Sequence, residues 1–517
     1  MRIYIFILCL IIVSFSFAQK KKPRDTSNYI QQVNRIEFDL GLSGDNYHII
    51  SGDELGLLVA VETSTTSTQG FQWKLHRLDT SLNMVWTKIF YSPYDSHFTG
   101  YDFYDGKYYL LFNNSKYDNT ELRLYEVGSD SASIIHYEIN TVFPIVLNEF
   151  EVLGGVVLLS GETNYRPVML TYNFIDKKPK VIPGIYDKHG EILDLILDDE
   201  SQMFTIIMSE RTPNKRFTII AKTFTAWGDL VQENTLNPGD KRNIIDGVAT
   251  NFYGGIQYMA GTYSKKSTTY SKGLYISKFV NGRQQLVKYY DYSGLNNFFG
   301  YMTAKREQRV KERINKKVSN GKDPNFSYRL LVHDIIQRGD EFLLVAEAYY
   351  PRYSNSYNQY STYSRYSPQG QYNSSFIGYN FTHAVVVAFD RNGNILWDNS
   401  FPIDNVLTYS LEGFVAVNDY PDKVVLMYLD ENIIQSKVVS ENEVVEGRTF
   451  NPVKLAYAGD ELKSKDPEIE GLKTWYDKTM YAYGVQNIKN EKGEGGKVYR
   501  NIFYINKIQY HRPENLN

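Results

Sequence analysis

Residues 147–163 read LNEFEVLGGVVLLSGET: a strand of alternating polarity, a Gly-Gly turn and a strongly apolar second strand. Glycine pairs adopt the positive φ angles that tight hairpin turns need, and β-branched residues favour strands. The same unit recurs at seven further places, beginning at Tyr47, Gly100, Ile192, Ile245, Leu330, Leu411 and Ile469. The sequence therefore predicts a series of β-hairpins.

The spacing of these units predicts how the hairpins assemble. The apolar centres of the second strands are Leu57, Tyr108, Val156, Phe204, Ile256, Phe342, Val424 and Met480. Successive centres are 51, 48, 48, 52, 86, 82 and 56 residues apart. A period near 50 with four short strands is typical of propeller blades, which bury their faces only against neighbouring blades. We predict an all-β fold, a β-propeller of eight four-stranded blades, with seven blades as the alternative.

A spare strand precedes the first unit. Residues 34–40 read NRIEFDL, and the last unit ends the chain with only a third strand, residues 501–511. Pairing the N-terminal strand beside the last blade would close the ring and remove its free sheet edges. We predict this closure.

Two of the second hairpins match in detail. Residues 78–90 (LDTSLNMVWTKIF) and 389–401 (FDRNGNILWDNSF) share Asp, Asn, Trp and Phe at one offset. Asn392-Gly393 predicts a type I′ turn, and each tryptophan is predicted to lie on an outer strand and fill the wedge between blades. Structural packing is favoured over ligand binding for these residues.

The composition excludes several classes of protein. The chain has 517 residues, 42% of them hydrophobic, and 56 basic against 59 acidic side chains give a net charge of -3. This balance offers no electrostatic basis for a nucleic-acid partner. The single cysteine, Cys9, lies in the N-terminal apolar segment, so disulfides and thiolate metal sites are excluded from the mature chain.

No catalytic motif is present. Nucleophile-elbow, zinc-protease, P-loop and dinucleotide-binding patterns are all missing from the sequence. His333 and Asp334 are the one suggestive pair of neighbours, but adjacent strand residues face opposite sides, which argues against a shared site. We predict no catalytic residues, no metal and no cofactor, and we lean towards a protein that is not an enzyme.

The N-terminus carries an export signal. Arg2 is followed by an apolar run from Ile3 to Val13 and by Ser16-Phe17-Ala18, a small-x-small cleavage pattern. The run is too short to span a bilayer, so transmembrane insertion is not expected. We predict a signal peptide over 1–18, a basic linker over 19–32, a single propeller domain over 33–512 and a tail over 513–517. The expected compartment is the periplasm, with the extracellular space as the alternative.

Two insertions break the repeat. Residues 293–325 contain a predicted basic helix with an apolar stripe of Met302, Val310, Ile314 and Val318. The helix is predicted either to dock an acidic partner or an anionic headgroup surface, or to cover one face of the propeller. Residues 349–383 are rich in tyrosine, serine and asparagine and predict a low-complexity loop. Loops on a rigid scaffold usually carry recognition, so the candidate binding residues are Arg306, Arg309, Arg313 and Lys317 on the helix and Tyr353, Tyr357, Tyr360, Tyr363, Tyr366 and Tyr372 in the loop.

Residues 388–397 (AFDRNGNILW) resemble the blade motif of quinoprotein-like eight-bladed propellers. They are also similar to the periplasmic propeller that is an accessory in bacterial outer-membrane protein assembly. The match is specific in this blade, where it departs from the family by a shorter turn without the expected threonine, and partial at residues 78–86. The resemblance implies the fold and a scaffold role, whereas the vicinal cysteines of quinone-dependent enzymes are missing here. The Tyr- and Asn-rich, cysteine-free exported chain resembles envelope proteins of Bacteroidota.

These observations predict a non-enzymatic periplasmic scaffold. Its partner would be another periplasmic or outer-membrane protein, and its role that of an accessory or capping subunit of an outer-membrane secretion or assembly complex. The alternative is a carbohydrate-active hydrolase or a glycan-binding propeller. In that case carboxylates and tyrosines from different blades would converge at the central channel, without leaving a local motif.

Overall fold

The computed structural model describes residues 25–27, 29–40, 45–114, 120–187, 190–239, 241–356, 373–464 and 469–511. The predicted signal peptide and tail lie outside these residues, and so do Tyr357, Tyr360, Tyr363, Tyr366 and Tyr372. Side chains are described throughout this part except at 354–356, 373–375 and 405.

The described chain forms eight antiparallel sheets, here called blades 1 to 8. The first strand, β1 (Ile30–Asp39), belongs to the last blade. Blade 1 contains β2 (Asn46–Ser51), β3 (Leu57–Ser67), β4 (Gly70–Leu78) and β5 (Met84–Ser92). Blade 2 contains β6 (His97–Tyr104), β7 (Lys107–Asn113), β8 (Glu121–Gly128) and β9 (Ile134–Asn140). Blade 3 contains β10 (Val146–Leu153), β11 (Val156–Thr163), β12 (Arg166–Asn173) and β13 (Pro179–Val181). Blades 4 and 5 contain β14 (Glu191–Asp198), β15 (Met203–Arg211), β16 (Phe217–Thr225), β17 (Leu230–Thr235); β18 (Asn243–Ala249), β19 (Ile256–Ser264), β20 (Gly273–Val280), β21 (Arg283–Asp291).

A helix, α1 (Ala304–Ser319), lies between blades 5 and 6 in the chain. Blades 6 and 7 contain β22 (Arg329–Arg338), β23 (Glu341–Ser356), β24 (Asn373–Asp390), β25 (Ile395–Thr408); β26 (Ala416–Tyr420), β27 (Lys423–Asp430), β28 (Ile433–Ser440), β29 (Glu443–Pro452). Blade 8 contains β30 (Asp460–Leu462), β31 (Glu470–Thr474), β32 (Met480–Asn490) and β33 (Tyr499–Tyr510), with β1 at its outer edge. Two single 3-10 turns, Asp53–Leu55 and Tyr292–Gly294, complete the described elements.

Turn chemistry explains why these segments pair as hairpins. At the turn between β10 and β11, Gly154 and Gly155 have φ angles of 58° and 77°. Asp105 and Gly106, between β6 and β7, have φ angles of 48° and 73°. Two consecutive positive φ angles match the right-handed twist of the flanking strands. The hairpins predicted from the sequence are confirmed.

The core lies between the blades. Trp73 of blade 1 packs edge-on against Phe112 of blade 2, with 5.2 Å between ring centroids, and both are buried. Blade 8 packs on blade 1 in the same way, because Val59 and Phe503 share one buried cluster. Every sheet therefore has a neighbour on each side, and the eight-bladed propeller predicted from the sequence is confirmed.

The N-terminal strand closes the ring, as the sequence predicts. β1 pairs antiparallel with β33, and Ile36 and Phe38 lie opposite Ile505 and Phe503. The strand begins at Ile30, so the predicted linker over 19–32 was wrong for its last three residues. The reason is a tertiary contact: the Ser27 hydroxyl donates to the Glu446 carboxylate of blade 7, which fixes the chain ahead of the strand.

The two matching hairpins turn in the same way. The Asp390 carboxylate accepts from the backbone N–H groups of Asn392 and Asn394, both at 2.8 Å, and Asp79 does the same at its own turn. Gly393 has φ 69°, but Asn392 is not at positive φ, so the type I′ prediction was wrong. The aspartate, rather than a second left-handed residue, holds the turn. Trp86 lies on the outer strand β5 and donates to the carbonyl of Ser129 in blade 2, so it bridges two blades.

The insertions depart from expectation in different ways. The predicted helix is present as α1, and Ile314 is buried against residues of blades 5 and 6, but Val318 of the predicted apolar stripe is exposed. The loop predicted over 349–383 was wrong at both ends, because β23 and β24 run on to Ser356 and Asn373 as a paired hairpin. Aromatic side chains opposite each other, such as Tyr353 and Phe376, pair across this hairpin. No helix in the described ranges is long and apolar enough to cross a bilayer.

We predict that the ring depends on its closing strand. Removing residues 1–40 deletes β1 and leaves β33 as an open edge. It also exposes Ile505 and Phe503, which lie opposite Ile36 and Phe38. The free energy of unfolding should fall by about 3 kcal/mol or more. The shortened chain should melt several degrees lower in calorimetry and self-associate in sedimentation experiments. A chain that starts at residue 25 keeps β1 and is the control. Equal melting of the two chains would contradict the role of the closure.

Candidate functional site

The first strand of each blade lies at the axis of the ring. First strands of neighbouring blades contact one another, as in the pairs β2 with β6, β6 with β10, β14 with β18, and β18 with β22. These strands are also irregular, because those of blades 2 to 6 each contain a register shift against the second strand. Such bulges redirect side chains and recur beside binding sites.

The bulges place acidic residues at the axis. The residue that follows the shift is Gly100 in blade 2, Glu149 in blade 3, Asp194 in blade 4 and Asp246 in blade 5. In blade 6 the register shift spans two residues, His333 and Asp334. Four consecutive blades therefore direct a carboxyl group at the axis, on one half of the ring.

These carboxyl groups hold protons unusually well. Burial raises the pKa of Glu149 to about 7, with a further contribution from the charges of Asp194 and Asp334. Burial also raises the pKa of Asp194 to about 7, with Asp334 and Asp246 adding to the effect. Like charges close to one another disfavour ionisation. A cation near these carboxyl groups would therefore lower their pKa values and favour the ionised form.

Other axial carboxylates have a structural role. Asp102 of blade 2 accepts from the backbone N–H of Val152 in blade 3 at 2.7 Å. The fully buried Glu347 of blade 6 accepts from the N–H groups of Phe414 and Val415, which lead into blade 7, at 2.9 and 2.8 Å. The inner edge of each blade has no further strand to pair with, so these carboxylates satisfy N–H groups at the junctions.

A cavity of about 520 Å³ opens beside the acidic half of the axis. Its walls come from blades 1, 2, 6, 7 and 8 and include Ile49, Ser51, Tyr101, His333, Asp334, Ile336, Val345, Gly413, Val415, Ala416, Val417, Leu472, Lys473, Thr474 and Tyr481. This size lies within the range of small-molecule sites. A methyl group on Gly413 would lie 2.9 Å from the His333 ring, so glycine at this position leaves the space open.

His333 and Asp334 both line this cavity, so the sequence argument against a shared site was wrong. The sequence argument assumed the regular alternation of a strand, and the shift between Val332 and Ile335 breaks that alternation. The His333 Nε2 atom lies 2.8 Å from a Glu347 carboxylate oxygen, which fixes the ring against the cavity wall.

Another wall of the cavity carries a basic side chain. Lys473 of blade 8 lies 3.5 Å from the hydroxyl of Tyr101 in blade 2. Burial opposes its charge, but Tyr101, Tyr483 and Glu412 raise the pKa of Lys473 overall. Lys473 therefore carries a positive charge at neutral pH. The described residues contain no cluster of three or more His, Cys, Asp or Glu side chains that could hold a metal ion.

A second candidate surface lies on blade 6. Beyond Ala348, strands β23 and β24 leave the blade as a hairpin, which we call the arm (residues 349–356 and 373–383). Its exposed aromatic side chains include Tyr350, Tyr353 and Phe376, which are 44%, 55% and 45% exposed. The neighbouring end of β25 adds exposed Leu407 and the loop after it adds Tyr409.

The basic helix reaches the base of the same arm. Tyr301, which precedes α1, stacks on His383 of β24 with 3.6 Å between ring centroids and 5° between planes. Phe298 and Tyr328 meet the same imidazole edge-on, so the whole insertion is anchored there. Arg306, Arg309 and Arg313 are exposed on α1 and Lys317 is half-buried. The segment that precedes the helix therefore contacts the base of the arm, and we call the helix and the arm together the blade 6 platform.

The structure thus brings together the described part of the predicted site. Tyr353 lies on the arm, and the four basic residues lie on the helix at its base, whereas the other five tyrosines lie outside the described residues. Sequence reasoning missed the axial cavity with Lys473 in its wall, and it missed the axial acids Glu149 and Asp194. A signal for these acids exists in the repeats, because LNE, ILD and IID place an acid after the bulge in three consecutive blades and VHD places one within the bulge of the next blade.

Comparison with known proteins bears only on the fold of this chain. No family model and no curated protein matches the chain. Among solved structures, the β-propeller domain of the Trilobed protease from Pyrococcus furiosus is 9% identical with a TM-score of 0.34, over 81% of this chain and 96% of that one. The polysaccharide lyase Uly1 is 8% identical with a TM-score of 0.38, over 91% and 100% of the two chains. The Dos1 propeller is 9% identical with a TM-score of 0.38, over 78% of each chain.

We predict that His383 makes the protein sensitive to acid. Burial lowers its pKa from 6.5 to about 3, so the unfolded chain takes up a proton below pH 6.5 that the native chain does not. The free energy of unfolding should fall by about 1.4 kcal/mol per pH unit over this range from His383 alone. In urea unfolding between pH 7 and pH 4, the free energy of unfolding of His383→Phe should depend less on pH than that of wild type. His97→Phe changes an exposed histidine and is the control, which should keep the pH dependence of wild type. An equal dependence of the free energy of unfolding on pH in wild type and His383→Phe would contradict this role of His383.

We also predict that Glu347 stabilises the junction of blades 6 and 7. Glu347→Leu leaves the Phe414 and Val415 N–H groups without their acceptor, which should lower the free energy of unfolding by about 3 kcal/mol. Urea unfolding measures the difference. Glu443→Leu, on the exposed start of β29, is the control and should change stability by less than about 0.5 kcal/mol. A similar small change for both variants would show that water replaces the carboxylate at the junction.

Proposed function

We propose that this protein is a non-enzymatic scaffold that binds another exported protein through the blade 6 platform. The observation that carries the proposal is the convergence of both insertions on one blade. The arm and the basic helix are the two largest departures from the repeat, and the stack of Tyr301 on His383 joins them. Two unrelated insertions that meet in this way are expected of a single recognition surface on a rigid support.

The chemistry of the platform suits a protein partner. Tyrosine and phenylalanine supply large contact areas at low entropic cost and are enriched at interface centres. The arm presents Tyr350, Tyr353 and Phe376 as a patch of rings, with Tyr353 and Phe376 only 5.7 Å apart. Beside this patch the helix adds basic side chains. The partner is therefore expected to offer an apolar strip flanked by acidic residues.

The destination of the protein belongs to the same proposal. The N-terminal sequence has the pattern of an export signal, and the motif of residues 388–397 resembles that of a periplasmic accessory propeller. We place the protein in the bacterial periplasm, as an accessory or capping subunit of an outer-membrane secretion or assembly complex. A glycan hydrolase is less well supported, because Asp334 is the one carboxyl group among the described residues of the cavity wall, and glycoside hydrolysis uses a pair.

The test is affinity recovery of partners from native envelope extract, with identification by mass spectrometry. We predict that Tyr353→Ala combined with Phe376→Ala removes the partner, since truncating two aromatic anchors costs about 2 kcal/mol or more each. The melting temperature of the propeller should stay unchanged, because neither ring belongs to the buried cluster between blades 6 and 7. A second variant, with Arg306, Arg309 and Arg313 all changed to Glu, should weaken recovery in a salt-dependent manner.

The matched control is Tyr165→Ala combined with Tyr253→Ala. These tyrosines are 96% and 86% exposed and lie on blades 3 and 5, away from the platform. The control should recover the same partner as wild type. Recovery of the same protein by the arm variant would rule out the platform as its binding site, and absence of any stoichiometric protein with wild type would rule out the scaffold function.

A further inference from the structure

The axial cavity has a feature that the scaffold function does not use. Asp334 on the blade 6 wall and Lys473 on the blade 8 wall bear opposite charges, with blade 7 between them in the ring. Within the described part of the chain, these two side chains do not form an ion pair with each other. Two opposite charges are thus held apart in one cavity.

Each charge has a supporting environment. The charge of Asp334 raises the pKa of both Glu149 and Asp194, whereas the pKa of Asp334 itself is raised by burial and lowered by the charge of His333. One oxygen of Asp194, Oδ2, is buried without a hydrogen-bond partner among the described residues. On the other side, Lys473 is held near the hydroxyl of Tyr101. A bound ammonium group would therefore be favoured at the first wall and a bound carboxylate at the second.

The middle of the cavity is of a different character. Between the two charged walls lie apolar side chains, among them Ile336, Val415 and Leu472, and the hydroxyl groups of Ser51 and Thr474. Apolar walls with a few convergent polar groups are the usual composition of a small-molecule site. Glycine at 413, where a longer side chain would meet the His333 ring, keeps this middle part open.

We propose that the axial cavity binds a small zwitterion, a free amino acid or short peptide, whose ammonium group contacts Asp334 and whose carboxylate contacts Lys473. The inference is independent of the blade 6 platform, which lies on other residues. The charges on the two walls set the class of ligand, and the distance between them sets its length. A ligand that lacks one of its two charges is expected to bind more weakly, because it loses the charge-assisted contact with one wall.

A ligand series measures both requirements. Glycine, diglycine, triglycine and tetraglycine carry the same two charges at increasing separation, and each is titrated into the full-length mature protein in a calorimeter. One length should bind best. Its N-acetyl and C-amide derivatives should each bind at least ten-fold more weakly, since each loses a charge-assisted contact.

Two variants assign each end of the ligand. Lys473→Met should weaken binding of the free peptide at least ten-fold and leave the C-amide unaffected, while Lys473→Arg should retain binding. Asp334→Asn should weaken the free peptide and leave the N-acetyl derivative unaffected. Lys478→Met and Asp340→Asn remove exposed charges outside the cavity wall and are the controls. Melting temperatures verify that each variant is folded.

The outcomes are decisive either way. Absence of binding heat for every peptide at millimolar concentration, or equal affinities for the free and the blocked peptides, would overturn the proposal. Tight binding that neither Lys473→Met nor Asp334→Asn weakens would place the ligand elsewhere and would equally overturn it. None of these results bears on partner recovery by the platform, so the two proposals fail separately.

Discussion

The whole structure depends on one requirement: both faces of every blade are apolar, and only another blade can cover them. In blade 1, residues 57–61 of the second strand are all buried, so the side chains on both faces of the strand lie in core clusters. A single sheet with two such faces would aggregate, and a row of sheets would leave two faces bare at its ends. A ring leaves none. The pairing of β1 with β33 matters for this reason, because it ties both ends of the chain into the same blade.

Closing the ring creates a second problem at the axis. There the inner strands have one edge without a partner strand, and their N–H groups need acceptors. Asp102 and Glu347 supply them by reaching across to the next blade. Bulges in the same strands bring further carboxyl groups inward, but Glu149 and Asp194 lie where no basic group offsets them. Structural need accounts for the first set of carboxylates, and the second set is the reason for proposing a ligand at the axis.

The sequence predicts those parts of the fold that are set by local chemistry. Hairpins follow from turn residues such as Gly154 and Gly155, and the number of blades follows from the spacing of apolar strands, because each blade must bury the same faces. The closing strand was predictable because the last unit lacks a fourth strand. The bulge that brings His333 and Asp334 together was not, since it depends on how neighbouring blades meet at the axis. The ends of the Tyr-rich insertion were misjudged because cross-strand aromatic pairs, such as Tyr353 with Phe376, stabilise strands in a composition that otherwise predicts a loop.

The position of the two insertions follows from strand direction alone. Successive strands of an antiparallel blade run up and down in turn, so the connection from the fourth strand to the next blade and the connection between the second and third strands leave on the same face. The helix insertion joins β21 to β22, and the arm joins β23 to β24, so both emerge on one face of the ring. Since they also belong to adjacent blades, their bases must be close, and the stack of Tyr301 on His383 fixes their relative placement. Both insertions thus enlarge one face of the ring, whereas the axial cavity is lined by residues of blades 1, 2, 6, 7 and 8, so blade 6 contributes to both features.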